Sequence, residues 1–409
     1  MPKLNRNVRL LGLVSFLTDV SSEMIFPLIP IFLTSVLGAP ASVLGLIEGI
    51  AESTANIVKM GAGIYSDKIR KRKPFVLGGY GLSALVKPLF ALSFSWTHIF
   101  AARFLDRLGK GIRGSPRDAI IADYTDEKTR GKAFGYRKMM DSLGATVGPF
   151  IAFLILPVLL ASNPEEDAYR ILFAIAVIPA ALSVIVLYFV REKESHVKKG
   201  WKFRWGEFSR RYKTNLALSF LFSLGTFSYA FFILRAQDAG VSLVLIPLVY
   251  MFYNLVYSMA AIPSGSLSDR VGRRTVILFG YLLFGITCLG FGFANEAVHI
   301  WLLFGLYGVF MAIMETVQRA FVSDLVPTTL RGSALGMYYG AVGFAALPAG
   351  IIAGLLWEVE LYGVRATFLF SAAVAFLSLM LFFVLVKEQK KKGLPVVEAP
   401  TARTLLRRG

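Results

Sequence analysis

GIYSDKIRKR, residues 63–72, returns about two hundred residues later as GSLSDRVGRR, residues 265–274. In each copy a glycine (Gly63, Gly265) stands four positions before an aspartate (Asp67, Asp269), and a basic cluster follows where a long apolar run ends. A charged turn between two membrane-length apolar segments cannot lie in hydrocarbon, which solvates neither ions nor free backbone groups, so both copies are read as water-facing. The glycine is expected to let two helices approach closely, and the aspartate to meet a helix N-terminus or an arginine. The echo continues downstream at an offset of 201: Asp123 with Asp324, Arg130-Gly131 with Arg331-Gly332, Gly135 with Gly336. Topology rules alone explain one basic loop. They do not explain two at matching positions, so the chain is read as two homologous halves.

Composition agrees with a membrane protein. The 409 residues are 56% hydrophobic and only 17% charged, with a mean hydropathy of +0.61; a soluble domain would carry about 25% charged residues. The single cysteine, Cys288, excludes a disulfide framework, and His98, His196 and His299 are too scattered to hold a metal. No cofactor is expected. The first apolar run follows Lys3, Arg6 and Arg9 and extends to Leu37 without a small-residue cleavage site, which makes it an uncleaved first helix.

Twelve spans are expected, near 8–37, 43–66, 74–95, 97–120, 132–160, 169–190, 215–237, 241–267, 275–294, 298–323, 332–357 and 363–386. The expected fold is therefore an all-α membrane protein of two pseudo-symmetric six-helix bundles, 1–190 and 215–386. A basic linker (191–214) joins them, and a basic tail (387–409) follows. Loops alternate between a basic set, such as Lys68 to Lys73 and Arg270/Arg273/Arg274, and a neutral or acidic set, such as SNPEED and WEVELYG. By the positive-inside rule, both termini are expected in the cytoplasm and the chain in the inner membrane. The net charge of +18 is thus assigned to topology, with the lipid bilayer rather than nucleic acid as partner. Trp201, Phe203, Trp205 and Phe208 in the linker suggest an amphipathic helix on the inner leaflet.

Charges inside the spans point to function, since each costs roughly 2.5–3.5 kcal/mol at a helix centre unless paired, protonated or wet. Asp19 and Glu23 share one face of the first span, followed by Pro27 and Pro30, which are expected to kink it. Glu48, Glu52 and Lys59 share a face of the second. The fourth carries Arg103, Asp106, Arg107, Lys110 and Arg113, and the fifth Arg137, Lys138 and Asp141. The second half offers mainly Glu315 and Arg319, four apart and expected to pair, along with many tyrosines and phenylalanines.

The repeated loop resembles the signature of the major facilitator superfamily, which places it between helices two and three and again between eight and nine. On that resemblance Gly63, Asp67, Gly265, Asp269, Arg270, Gly272 and Arg273 are gating residues; Arg70 stands where the second copy has Gly272. RFLDRLGKG resembles the superfamily's fourth-helix motif, with Arg103 in the arginine place linked to proton transfer and Arg107 where glycine is usual. Gly135, Gly144, Gly148 and Pro149 are similar to its antiporter motif on the fifth helix. The resemblance implies a monomeric secondary transporter with a substrate site between the halves and alternating access. The expected function is proton-coupled export of an organic, drug-like amphipath, with Asp19, Glu23, Glu48, Glu52, Arg103, Arg107, Arg137 and Asp141 as substrate or coupling residues. The alternative is transport of an organic anion held by the buried arginines.

Overall fold

The computed structural model describes residues 4–69, 71–125, 127–192, 205–327, 330–360 and 362–386. The linker between 193 and 204, the tail from 387 and Arg70 lie outside the described residues, as does the side chain of Asp67.

Twelve rods account for the described residues: α1 (Arg6–Val36), α2 (Ala41–Ile69), α3 (Lys73–Ala91), α4 (Trp96–Asp123), α5 (Glu127–Ser162), α6 (Glu165–Tyr188), α7 (Arg210–Asp238), α8 (Leu243–Val271), α9 (Arg273–Phe293), α10 (Ala297–Asp324), α11 (Arg331–Trp357) and α12 (Gly363–Leu385). Ten are long and apolar enough to cross a membrane. The two that fall short are α2 and α4, the carriers of the carboxylate and cation stripes, and both are packed within the bundle against each other and, for α4, against α3. Rod α7 starts at Arg210 after a single turn at Trp205–Glu207, inside the stretch expected to be linker. Every other rod begins and ends within a few residues of its expected span.

Five rods are not continuous α-helix: α6 has a one-residue turn at Ala176, α8 opens with a tighter turn at Leu243–Leu245, and α1, α7 and α10 are interrupted as follows. In α1 the helix closes at Ile25, Phe26 to Leu28 form a turn, and Pro30 sits at the start of the next short piece. Proline lacks the N–H that would carry the ladder through, so this is the break expected from Pro27 and Pro30. Rod α7 breaks without proline: one helix ends at Leu224, and Ser228 caps the next, Tyr229–Asp238, its Oγ accepting from the Ala230 N–H at 3.3 Å. In α10 the turn Met314–Gln318 is π-helical.

The halves repeat in detail at their basic ends. Arg72 pairs with Asp123, and Arg273, 201 positions on, pairs with Asp324. Lys73 Nζ donates to the Tyr188 carbonyl at 3.0 Å, and Arg274 Nη2 to the Phe383 carbonyl at 2.7 Å. Thus a basic residue in the first turn of α3 and one in the first turn of α9 hold carbonyls in the last turns of α6 and α12, where cations complement the helix dipole. Asp269 adds an ion pair to Arg273 at 3.4 Å.

Two seams join the bundles, α2 against α11 and α5 against α8. On the α2–α11 seam glycine is obligatory. A Cβ on Gly49 would lie 3.0 Å from the Leu347 carbonyl, one on Gly343 2.8 Å from the Asn56 Cβ, and one on Gly354 2.6 Å from the Ser42 Cα; Gly45 and Gly350 face each other more closely still. The repeated-loop glycines differ from expectation. Gly63 does face another helix, at Ser115, but a Cβ on Gly265 would meet nothing within 4 Å, because α8 turns that face away from its neighbours.

Overpacking a tight crossing costs roughly 1–3 kcal/mol. Gly350→Leu is therefore expected to lower the melting temperature of detergent-solubilised protein clearly, whereas Gly265→Leu is expected to leave it unchanged.

Candidate functional site

The charged interior belongs to the first bundle. Away from the helix ends it holds Lys59, Lys87, Arg103, Arg107, Lys110, Arg113, Arg117, Arg137 and Lys138 against Asp19, Glu23, Glu48, Glu52, Asp106, Asp118 and Asp141, nine cations to seven carboxylates. Charge in low dielectric must find a partner or water. How each group does so defines the site.

Nearest the neutral ends of the rods, Arg103 is fully buried and grips Glu48 with both arms of its fork. Nε donates to Oε1 at 2.7 Å and Nη2 to Oε2 at 2.8 Å. The pair reaches across to the second bundle at the break in α7. Ser228 Oγ donates to Glu48 Oε2 at 3.0 Å, and Arg103 Nη2 to the Tyr229 hydroxyl at 3.5 Å. The carboxylate thereby meets the N-terminus of the half-helix Tyr229–Asp238, whose dipole favours an anion.

One turn deeper the pairing loosens. Arg107 lies 3.4 Å from Glu52, whose side chain is 39% exposed although it is near the middle of α2. Arg107 Nε is buried without a hydrogen-bond partner, and so is Arg103 Nη1. Another turn down α4, Lys110 is exposed and has no ion-pair partner among the described residues. Its charged surroundings are Arg107, Glu52, Asp19 and Glu23, so it faces the space between the bundles rather than lipid. Asp19 and Glu23 border the same space, each partly exposed and without an ion-pair partner among the described residues. Tyr229, Tyr250 and Tyr253 of the second bundle stand opposite, with Tyr229 and Tyr250 5.1 Å apart and Tyr250 beside Glu23. The arrangement is a cleft lined by three cations and four carboxylates, with one aromatic wall.

Rod α5 backs this cleft. A Cβ on Gly144 would stand 2.8 Å from the Asp19 Cβ, and one on Gly148 3.2 Å from the Glu23 Cβ, so the two glycines seat the carboxylate turns of α1. Pro149 is buried beside them. Gly135 does not belong to this stripe: a Cβ there meets nothing within 4 Å, because that turn of α5 meets α1 through Tyr136, at Gly12, and Gly135 faces elsewhere.

Arg137 and Asp141 are not part of the cleft's free charge. They pair with each other at 2.7 Å, and Arg137 also approaches Asp118 at 3.8 Å, within a cluster nearer the basic ends that includes Arg117. Glu315 and Arg319 pair as expected. Lys87 is a residue the sequence reading passed over. Fully buried in α3, its Nζ donates to Ser22 Oγ at 3.0 Å and lies 3.5 Å from Asp106. A lone lysine inside an apolar span was the available signal. Among the described residues no three His, Cys, Asp or Glu side chains gather to hold a metal.

A family model described as the Major Facilitator Superfamily matches residues 11–255 and again 216–408, and the chain belongs to that superfamily. It is 40% identical to an uncharacterised MFS-type transporter of Methanocaldococcus jannaschii, over 93% of this chain and 96% of the relative. It is 23% identical to the cis,cis-muconate transport protein of Acinetobacter baylyi, over 64% of this chain and 66% of the relative. A crystal structure of the nucleoside transporter NupG superposes with a TM-score of 0.74 at 13% identity, covering 94% of this chain and 100% of that one. The protein is thus an integral membrane transporter of this superfamily and not an enzyme.

Removing one member of a buried ion pair leaves an uncompensated charge, at a cost of about 3–5 kcal/mol. Arg103→Met is expected to destabilise the solubilised protein by that order, and Arg103→Met with Glu48→Leu by clearly less. Thermal or chemical unfolding of the single and double variants in detergent measures both.

Proposed function

We propose that this superfamily member carries organic carboxylates across the membrane together with protons, by alternating access between its two bundles. The observation that carries the reading is a set of incompletely paired cations halfway through the membrane. Among the described residues Lys110 forms no ion pair, Arg107 keeps a buried donor free, and Glu52 answers Arg107 only loosely at 3.4 Å. An incoming carboxylate completes these donors with charge-assisted hydrogen bonds. The tyrosine wall opposite suits the flat, unsaturated body of a small organic acid. A relative that transports cis,cis-muconate supports the same substrate class.

Protons are assigned to Asp19 and Glu23. Both face the cleft beside Lys110, and both lack a fixed cation, so each is free to exchange a proton for a change of partner between states. A dicarboxylate moving with two protons carries no net charge and is driven by the pH gradient alone. At about 1.4 kcal/mol per tenfold ratio, one pH unit then sustains accumulation of roughly a hundredfold. The basic loop ends face the cytoplasm of the inner membrane in this reading, and the Arg103–Glu48–Ser228 contact closes the opposite, outer end.

Proton-coupled export of a drug-like amphipath, the expectation drawn from the antiporter resemblance, keeps one support in the seating of α1 on Gly144 and Gly148. The carboxylate reading is preferred because the open donors of Arg107 and Lys110 suit a carboxylate and offer a cationic amphipath nothing.

Proteoliposome transport separates the two. An imposed inside-alkaline gradient is expected to drive accumulation of muconate and related carboxylates, and collapse of the gradient by an ionophore to abolish it, while ethidium is not moved. Movement of ethidium without carboxylate transport would overturn the proposal in favour of drug export.

A further inference from the structure

Phe26 stands at the break in α1, where the helix ends and Pro27 follows; its N–H still reaches the Ser22 carbonyl at 2.9 Å. The side chain is buried, and three cations approach its ring. The Arg103 Cζ lies 4.1 Å from the ring centroid, the Lys87 Nζ 4.5 Å and the Arg107 Cζ 5.1 Å. Each cation also has a carboxylate, but the contacts are unequal. Glu48 takes two full hydrogen bonds from Arg103, whereas Glu52 stands 3.4 Å from Arg107 and Asp106 3.5 Å from Lys87. Two of the three cations are loosely paired, and the ring is the partner all three share.

A ring and a carboxylate hold a guanidinium differently. The ring attracts the cation through its quadrupole and accepts no hydrogen bond from the in-plane N–H donors. A carboxylate at the same place would occupy those donors and cancel the charge. The buried, unpartnered Arg103 Nη1 and Arg107 Nε are what the first kind of support leaves behind. With an aliphatic side chain at position 26, the three cations would lose the one neutral partner they share, leaving Lys87 with Ser22 and Phe90 and Arg103 with Tyr229. Arg107 would then be drawn onto Glu52 or Asp106.

We propose that Phe26 is the positioning residue of the anion site. Its ring gathers Lys87, Arg103 and Arg107 without consuming their donors and so presents Arg107 edge-first to the transported carboxylate. The assignment rests on the carboxylate reading above. It also gives the α1 break a role. Phe26 lies three residues beyond Glu23, so a change of bend there moves the ring, and with it the α4 arginines, together with the proton-accepting turn.

The test is muconate uptake at varied concentration into proteoliposomes of full-length protein, for wild type and for Phe26→Leu, Phe26→Met and Phe26→Tyr. Melting temperatures of the same preparations are recorded alongside. Loss of the desolvated cation–π contacts is expected to raise the half-saturating concentration about tenfold in the Leu and Met variants, with the maximal rate largely kept. Phe26→Tyr, which keeps the aromatic face, is expected to restore the wild-type value. Unchanged half-saturation in both aliphatic variants would overturn the proposal, as would equal losses in the Tyr and aliphatic variants that track a fall in melting temperature. If wild type transports neither muconate nor any other carboxylate offered, the carboxylate reading itself fails. That result appears before any variant is compared.

Discussion

The two-armed contact between Arg103 and Glu48 is the interaction on which the arrangement rests. It is dry, its geometry is that of a full guanidinium–carboxylate fork, and Ser228 and Tyr229 of the opposite bundle close over it. In low dielectric such a pair cannot be pulled apart or half-removed without leaving a bare charge. It therefore ties α2 to α4 and fixes where α7 breaks against them. The tight glycine crossing of α2 and α11 lies on either side of Glu48 in sequence, at Gly45 and Gly49. Charge satisfaction and backbone approach thus close the same end of the cleft.

From that dry end, the balance of charge changes turn by turn down α4. Arg103 pairs through both arms, Arg107 pairs loosely, and Lys110 forms no ion pair among the described residues. Glu52, partly exposed, is where this charged interior first opens to solvent. The second bundle contributes almost no charge but supplies the tyrosine wall. The two halves share a fold and have divided the work: the first carries the ions, and the second presents the surface they face.

Much of the fold was legible in the sequence because the bilayer enforces it. Span length, loop charge and the 201-residue echo each follow from what hydrocarbon excludes, and the rods fall where those rules put them. The α1 break was legible because proline cannot carry the ladder. The α7 break was not, since Gly225 to Ser228 is an ordinary stretch whose interruption depends on packing and on the Glu48 contact. The pairings of Arg103 with Glu48 and Arg107 with Glu52 were among those the helical spacing allowed, but spacing on one helix cannot select a partner on another. Arg137 and Asp141 look like free intramembrane charges in sequence, and their four-residue separation in fact makes them each other's partner. Gly135 and Gly265 match their motifs yet face open space, because a motif records residue type and not the neighbour a helix turns toward. Lys87 and Phe26 went unnoticed for opposite reasons, one as a lone charge and the other as one phenylalanine among 34.

The central claim is that incompletely paired cations in the middle of the membrane bind an organic anion, and Lys110 tests it most directly. Binding of muconate to purified protein, followed by the shift in melting temperature with ligand concentration, is to be compared between wild type and Lys110→Met. The account predicts tight saturable stabilisation of wild type and an affinity at least about tenfold weaker in the variant, with its own melting temperature in the absence of ligand unchanged or raised. Equal affinity in the two proteins, or carboxylate binding that strengthens when the charge is removed, would contradict it.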